Sequence, residues 1–166
     1  MKKQKGFSLI ELLIVVAIIL IIAAIAIPNL LRSRMAANES SAVGSLRTIN
    51  TSEVTYSSTY PTVGFSADLK TLGGAPAACN AGANSGQACL IDDVLANAVA
   101  PNSKSGYSFI YVPANGGGST NIAYTIVANA TLQNQTGQRS FFTDQSGVIR
   151  AKPVGPGAAS TDPPLQ

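Results

Sequence analysis

The stretch that decides the fold is Gly6-Phe7-Ser8-Leu9-Ile10-Glu11, which opens onto sixteen uncharged, almost wholly aliphatic residues, 12–27. Residues 7–27 number twenty-one, about 31 Å of α-helix at about 1.5 Å per residue. That length matches a bilayer hydrocarbon core of about 30 Å. Glu11 is the only charge in the run. At the bilayer centre a charged side chain costs a few kcal/mol or more, so an acid there marks a functional site with a partner to be found. Ahead of it, Met1-Lys2-Lys3-Gln4-Lys5 is a short basic leader. Lysines flanking an apolar segment stay on the cytoplasmic side, which predicts that the remainder lies across the membrane.

Charge excludes several function classes. The formal +3 comes from Lys2, Lys3 and Lys5; without them the chain has eight basic and eight acidic residues. No basic surface for specific nucleic-acid binding is expected. Histidine is absent, which removes the commonest general base and metal ligand together. No phosphate-binding glycine loop, paired catalytic carboxylates or nucleophilic triad occurs. No enzyme activity, metal site or cofactor is expected.

Lys5-Gly6-Phe7-Ser8-Leu9-Ile10-Glu11-Leu12-Leu13-Ile14-Val15-Val16-Ala17-Ile18-Ile19, continued by Ala23-Ala24-Ile25-Ala26-Ile27-Pro28, resembles the prepilin signature of type IV pilins and of the pseudopilins of type II secretion. The resemblance covers about the first 35 residues. Leu20 departs from it, standing where many members carry glycine. The resemblance implies cleavage between Gly6 and Phe7 by a cytoplasmic-side prepilin peptidase, which then N-methylates Phe7, while the apolar helix is retained. It implies a structural subunit that polymerises with itself and other pilins through an inner-membrane assembly platform and its ATPase. The precursor would be a single-pass inner-membrane protein with its head outside the cytoplasm, the assembled subunit part of an extracellular pilus.

Elementary electrostatics supports that mechanism. Cleavage would create an α-amine on Phe7, four residues before Glu11. Both groups are charged at neutral pH, and in an apolar filament core an unpaired ion is heavily penalised while a pair is tolerable. Residues four apart share a helix face, so a pair within one subunit is possible; pairing Glu11 with a neighbour's Phe7 amine, as the family suggests, would also set axial register. Two other readings stay open: a pseudopilin of a type II secretion system, and a membrane-anchored extracytoplasmic binding domain. The loop between Cys79 and Cys89 and the lack of an acidic calcium-binding loop near the C-terminus lean toward a pilin.

Further along, Pro28 removes one helical hydrogen bond and predicts a kink or local melting around residues 24–28. Met35, Ala42, Leu46, Ile49 and Tyr56 then recur at spacings of seven, four, three and seven, one face of an amphipathic helix. Arg32, Arg34, Asn38, Glu39, Arg47 and Asn50 are expected mostly on other faces. The long helix is predicted over residues 7–57, with 7–27 as transmembrane segment and filament core. A globular head follows over 58–152. In it, Cys79 and Cys89 enclose nine residues poor in folding signals. In an extracytoplasmic domain two such cysteines point to a disulfide, the alternative being two free thiols. Asp92-Asp93 reads as a helix start rather than a calcium site.

Beyond Lys104 the period falls to two. Residues 107–112, 122–128, 140–143 and 148–151 are predicted strands, with turns at Gly116-Gly117-Gly118 and Asp144-Gln145-Ser146-Gly147. The predicted fold is therefore α+β: a long, kinked N-terminal helix whose amphipathic half packs on a small antiparallel sheet of three to four strands. Residues 153–166, with four prolines and two glycines, read as a flexible tail.

Overall fold

The computed structural model describes residues 7–165; the leader, including Gly6, lies outside the described residues. Helix α1 (Leu9–Thr59) is followed by three short helices, α2 (Leu69–Leu72), α3 (Pro76–Asn80) and α4 (Asp93–Ala96). Four strands close the chain: β1 (Tyr107–Ala114), β2 (Ala123–Ala130), β3 (Ser140–Asp144) and β4 (Arg150–Lys152). The strands form one antiparallel sheet in sequence order, so the α+β class expected from the sequence is the architecture observed. The chain divides into two compact units, residues 1–34 and 35–166.

In the first unit the large aliphatic residues of α1 are exposed throughout, from Leu9 at 74% to Val16 at 44%. This is the one described helix long and apolar enough to cross a membrane. Helix runs without a break through Pro28, where the sequence predicts a kink or local melting; residues 24–28 are helical throughout.

The second unit is built on the remaining turns of α1. Ala42, Val43, Leu46, Ile49 and Tyr56 share one core with Tyr107, Phe109, Tyr124, Ile126, Ala128 and Phe141 from the sheet. Along β2 burial alternates, with Tyr124, Ile126 and Ala128 inside, the two-residue period of a half-buried strand. Three residues expected on other faces of α1 meet the head instead. Asn38 Nδ2 donates to Thr136 O, Asn50 Nδ2 to Thr143 Oγ1, and Glu39 is 7% exposed. The reason is pairing: each polar group finds a hydrogen-bond partner in the loops or strands facing it, which removes the penalty of burying it.

The segment after β4 also differs from the composition-based expectation of a flexible tail. Ala151 N donates to Pro163 O and Leu165 N to Ile149 O, with Arg150 opposite Pro164 in an antiparallel bridge. Leu165 packs against the core. Proline cannot donate to a ladder but its carbonyl accepts normally, so a proline-rich strand is admissible at a sheet edge.

Candidate functional site

Ser8 is the last residue before α1, and Leu12 N donates to its carbonyl (3.2 Å). The backbone N–H of Ser8 donates in turn to Glu11 Oε2 (2.9 Å). With Leu9, Ile10 and Glu11 as the first three helical residues, Ser8 sits at the N-cap and Glu11 at the third position. This is the carboxylate arm of a capping box, in which an otherwise orphaned amide is satisfied by the side chain three residues on. The positive end of the helix dipole favours an anion at the same place. Glu11 thus has a local partner in its own helix start. The pattern Ser-x-x-Glu ahead of an apolar run was the signal for it in the sequence.

Phe7 precedes this turn and is 76% exposed, while Gly6 lies outside the described residues. Phe7 and Glu11 are therefore placed at one end of an uncovered apolar helix. Such a helix can lie in lipid or against other apolar helices. Among the described residues no group of three His, Cys, Asp or Glu side chains could hold a metal ion.

In the head, Cys79 and Cys89 are joined in a disulfide, with Cα atoms 5.8 Å apart. Cys79 comes from α3, and Cys89 is held by its backbone N–H donating to Gly73 O. The enclosed loop turns on Asn84, whose Oδ1 accepts from the N–H groups of Gly86 (2.9 Å) and Gln87 (3.1 Å). Tyr56 in α1 donates its hydroxyl hydrogen to Ser85 O (2.6 Å), tying the loop to the helix. A Cβ on Gly74 would fall 2.7 Å from Cys79 Sγ and 2.9 Å from Cys89 Sγ, so the sulfur pair requires glycine there. Asp92 caps α4 by accepting from Leu95 N (3.1 Å) and pairs with Lys104 Nζ (2.8 Å). That lysine bond, foremost, holds its carboxyl below the usual carboxylate range.

Two buried acids join α1 to the head: Glu39, expected from the sequence mostly on another face, and Glu53, which the sequence pattern did not mark. Glu53 is fully buried; its carboxylate accepts from the backbone N–H of Ser66 (3.0 Å) and from the Ser66 hydroxyl. Tyr111 donates to the carbonyl of the same serine (3.0 Å). Burial pushes the Glu53 carboxyl up, against the opposing bonds from Ser66. Glu39 accepts from the N–H groups of Gln138 (2.9 Å) and Arg139 (3.1 Å) and pairs with Arg139 Nε (2.7 Å). Burial acts to raise it as well, but those bonds and the guanidinium outweigh it, and the carboxyl lies below its ordinary value.

Residues 1–27 match the family described as the prokaryotic N-terminal methylation motif. Over 39 residues, 24% of the chain, it is 64% identical to the type IV wide pilus major component of Thermus thermophilus, covering 30% of that protein. Over 54 residues, 32% of the chain, it is 45% identical to the type IV major pilin protein of Myxococcus xanthus, covering 24% of that protein. The matched stretch thus spans less than a third of either relative. No solved structure matches the chain. The similarity to known proteins thus rests on the N-terminal part of the chain, where residues 1–27 carry the methylation motif.

Proposed function

We propose that this chain is a structural subunit of a type IV pilus. The observation that carries the reading is the conjunction, at one helix start, of the N-terminal methylation motif over residues 1–27 with an exposed apolar segment, residues 9–27, bearing a single carboxylate. In this reading a prepilin peptidase cleaves between Gly6 and Phe7 and methylates the new amine of Phe7. The precursor waits in the inner membrane, anchored by residues 7–27, with its head outside the cytoplasm. On assembly the apolar helices of many copies bury one another's surface, which supplies the main driving force. Glu11 pairs with the Phe7 amine of a neighbouring subunit and sets the register of addition.

The Ser8–Glu11 bond adds a step to that scheme. Before assembly the carboxylate is engaged by its own helix start, so the intermolecular pair replaces or shares an existing bond rather than rescuing a bare ion. A buried charge pair with additional hydrogen bonds is the form that an apolar interior tolerates.

The test is mass spectrometry of subunits from fibres sheared off cells. A subunit beginning at N-methylated Phe7 in long external fibres supports the proposal. A subunit of the same mass confined to a short periplasmic assembly identifies a secretion pseudopilin instead. Full-length, unmethylated protein in the membrane with no fibre at all leaves the anchored binding domain.

A further inference from the structure

Residues 140, 142 and 144 of β3 point away from α1, because Phe141 belongs to the core and Thr143 meets Asn50 from the helix. Side chains alternate along a strand, so Ser140 and Phe142 lie on the outer face of the sheet. Both are nevertheless buried, at 1% and 7% exposed. Phe142 stands between Val127 and Arg150 in register, and Ser140 opposite Lys152. On β1 the same face is open, with Ile110 48% and Val112 52% exposed, while the outward residues of β2 are half-buried.

What distinguishes the β3–β4 half is the C-terminal segment bonded across it. Lys152 Nζ donates to Pro156 O (3.0 Å), Gly155 N to Gln138 O (3.2 Å), and Gly157 N to Asn129 Oδ1 (2.9 Å). Ala158 is buried, and Arg150 Nη1 donates to Asp162 O (3.0 Å). The segment bends over the face at Gly155 and Gly157, whose φ angles of 88° and 76° lie in the left-handed region that glycine adopts without strain. It then returns as residues 163–165 along the free edge of β4.

We propose that residues 153–165 are an intramolecular strap that seals the β4 edge and the β3–β4 half of the sheet's outer face against pairing with a second copy of this chain. An uncovered edge is a template for another strand, and proteins blunt such edges with proline or by covering them. Here both devices coincide. Pro163 and Leu165 direct their polar groups at β4 through Pro163 O and Leu165 N, so by the alternation of an antiparallel ladder Pro164 faces outward. Its nitrogen carries no hydrogen, and the new edge therefore lacks a donor where a partner strand would need one. The opposite edge is blunted likewise: Phe109 N in β1 donates to Ala98 O (2.8 Å), and β1 contains Pro113. Under the strap the hydroxyl of Ser140 is buried with no hydrogen-bond partner among the described residues.

The proposal does not rest on the filament reading, since a chain that never enters a fibre would carry the same strap. Its test compares the full chain in detergent micelles with three variants: a stop after Lys152, Leu165→Asn, which unseats the end of the strap, and Pro164→Thr, which leaves the strap in place but restores an outward N–H. Light scattering coupled to size exclusion reads the protein mass per micelle as concentration rises, and near-ultraviolet circular dichroism reports whether the head is folded. The expected result is a shift to multiples of the wild-type mass in a variant that keeps the wild-type near-ultraviolet spectrum. Wild-type mass in every folded variant overturns the proposal, and if the truncation unfolds the head, the two point variants decide.

Discussion

At the scale of single residues, the two acids at the junction of α1 and the head titrate in opposite senses. Both have an ordinary carboxyl value of 4.5. Glu53 is raised by burial, so the folded head holds its proton more tightly than the unfolded chain. Its stabilising effect is complete below about pH 4.5 and fades as pH rises through the folded value. Glu39 is lowered, so its contribution is present above about pH 4.5 and fades as pH falls through its folded value. Thermal melts of the full chain in detergent across pH 3 to 8 should therefore show a loss on each side. Glu53→Gln is expected to flatten the loss above pH 4.5 and Glu39→Gln the loss below it. A Glu39 variant that leaves the acid limb unchanged would show that Arg139 and the two amides contribute nothing through ionisation. Glu39→Ala should also cost about 1–3 kcal/mol at neutral pH, since it strips acceptors from donors at a part-buried site.

At the scale of elements, the loop between Cys79 and Cys89 is held by covalent closure more than by packing, because none of residues 80–87 is buried. Closing a loop of about eleven residues stabilises by roughly 2–3 kcal/mol through lost unfolded-state entropy. The double variant Cys79→Ser, Cys89→Ser should lower the unfolding free energy by about that amount, read from denaturant midpoints under oxidising conditions. Gly74→Ala tests the same element from outside: its methyl would meet both sulfurs, and an overpacked site typically costs about 1–3 kcal/mol. Its loss should shrink once the disulfide is reduced, since the sulfurs can then move apart. A loss unchanged by reduction would place the strain elsewhere.

The start of α1 is an element in the same sense. Ser8 contributes its backbone N–H to Glu11, so Ser8→Ala is expected to leave both that bond and fibre yield near wild type.

At the scale of the whole molecule, function is read where the chain leaves surface uncovered. Glu11→Val should permit membrane insertion and leader removal but reduce surface fibres severely, measured by sheared-fibre yield against a mature-size band on immunoblots. Normal fibre yield would remove Glu11 from assembly. A bulky residue at Gly6 should block processing and leave a precursor-size band, because a peptidase must bring its active site close to the backbone there.

Much of this was legible locally. The apolar run, its lone acid, the basic leader and the two-residue period of the strands are properties of contiguous sequence, and they determined the α+β class, the long helix and the candidate site at its start. The stripe on α1 was read at Met35, Ala42, Leu46, Ile49 and Tyr56, with two gaps of seven. Glu39 and Glu53 fill those gaps at spacings of three and four, on the buried face. Hydrophobic periodicity could not include them, because whether a carboxylate may be buried depends on donors from Ser66, Gln138 and Arg139, which only the fold brings near. The segment beyond β4 was equally hidden. Its prolines and glycines carry no periodicity, and its order comes from the free edge of β4 and the outer face around Phe142. Sequence alone thus determined what each stretch of chain prefers to be. Tertiary structure alone decided which polar groups are buried and what covers the sheet, because both depend on partners distant in the chain.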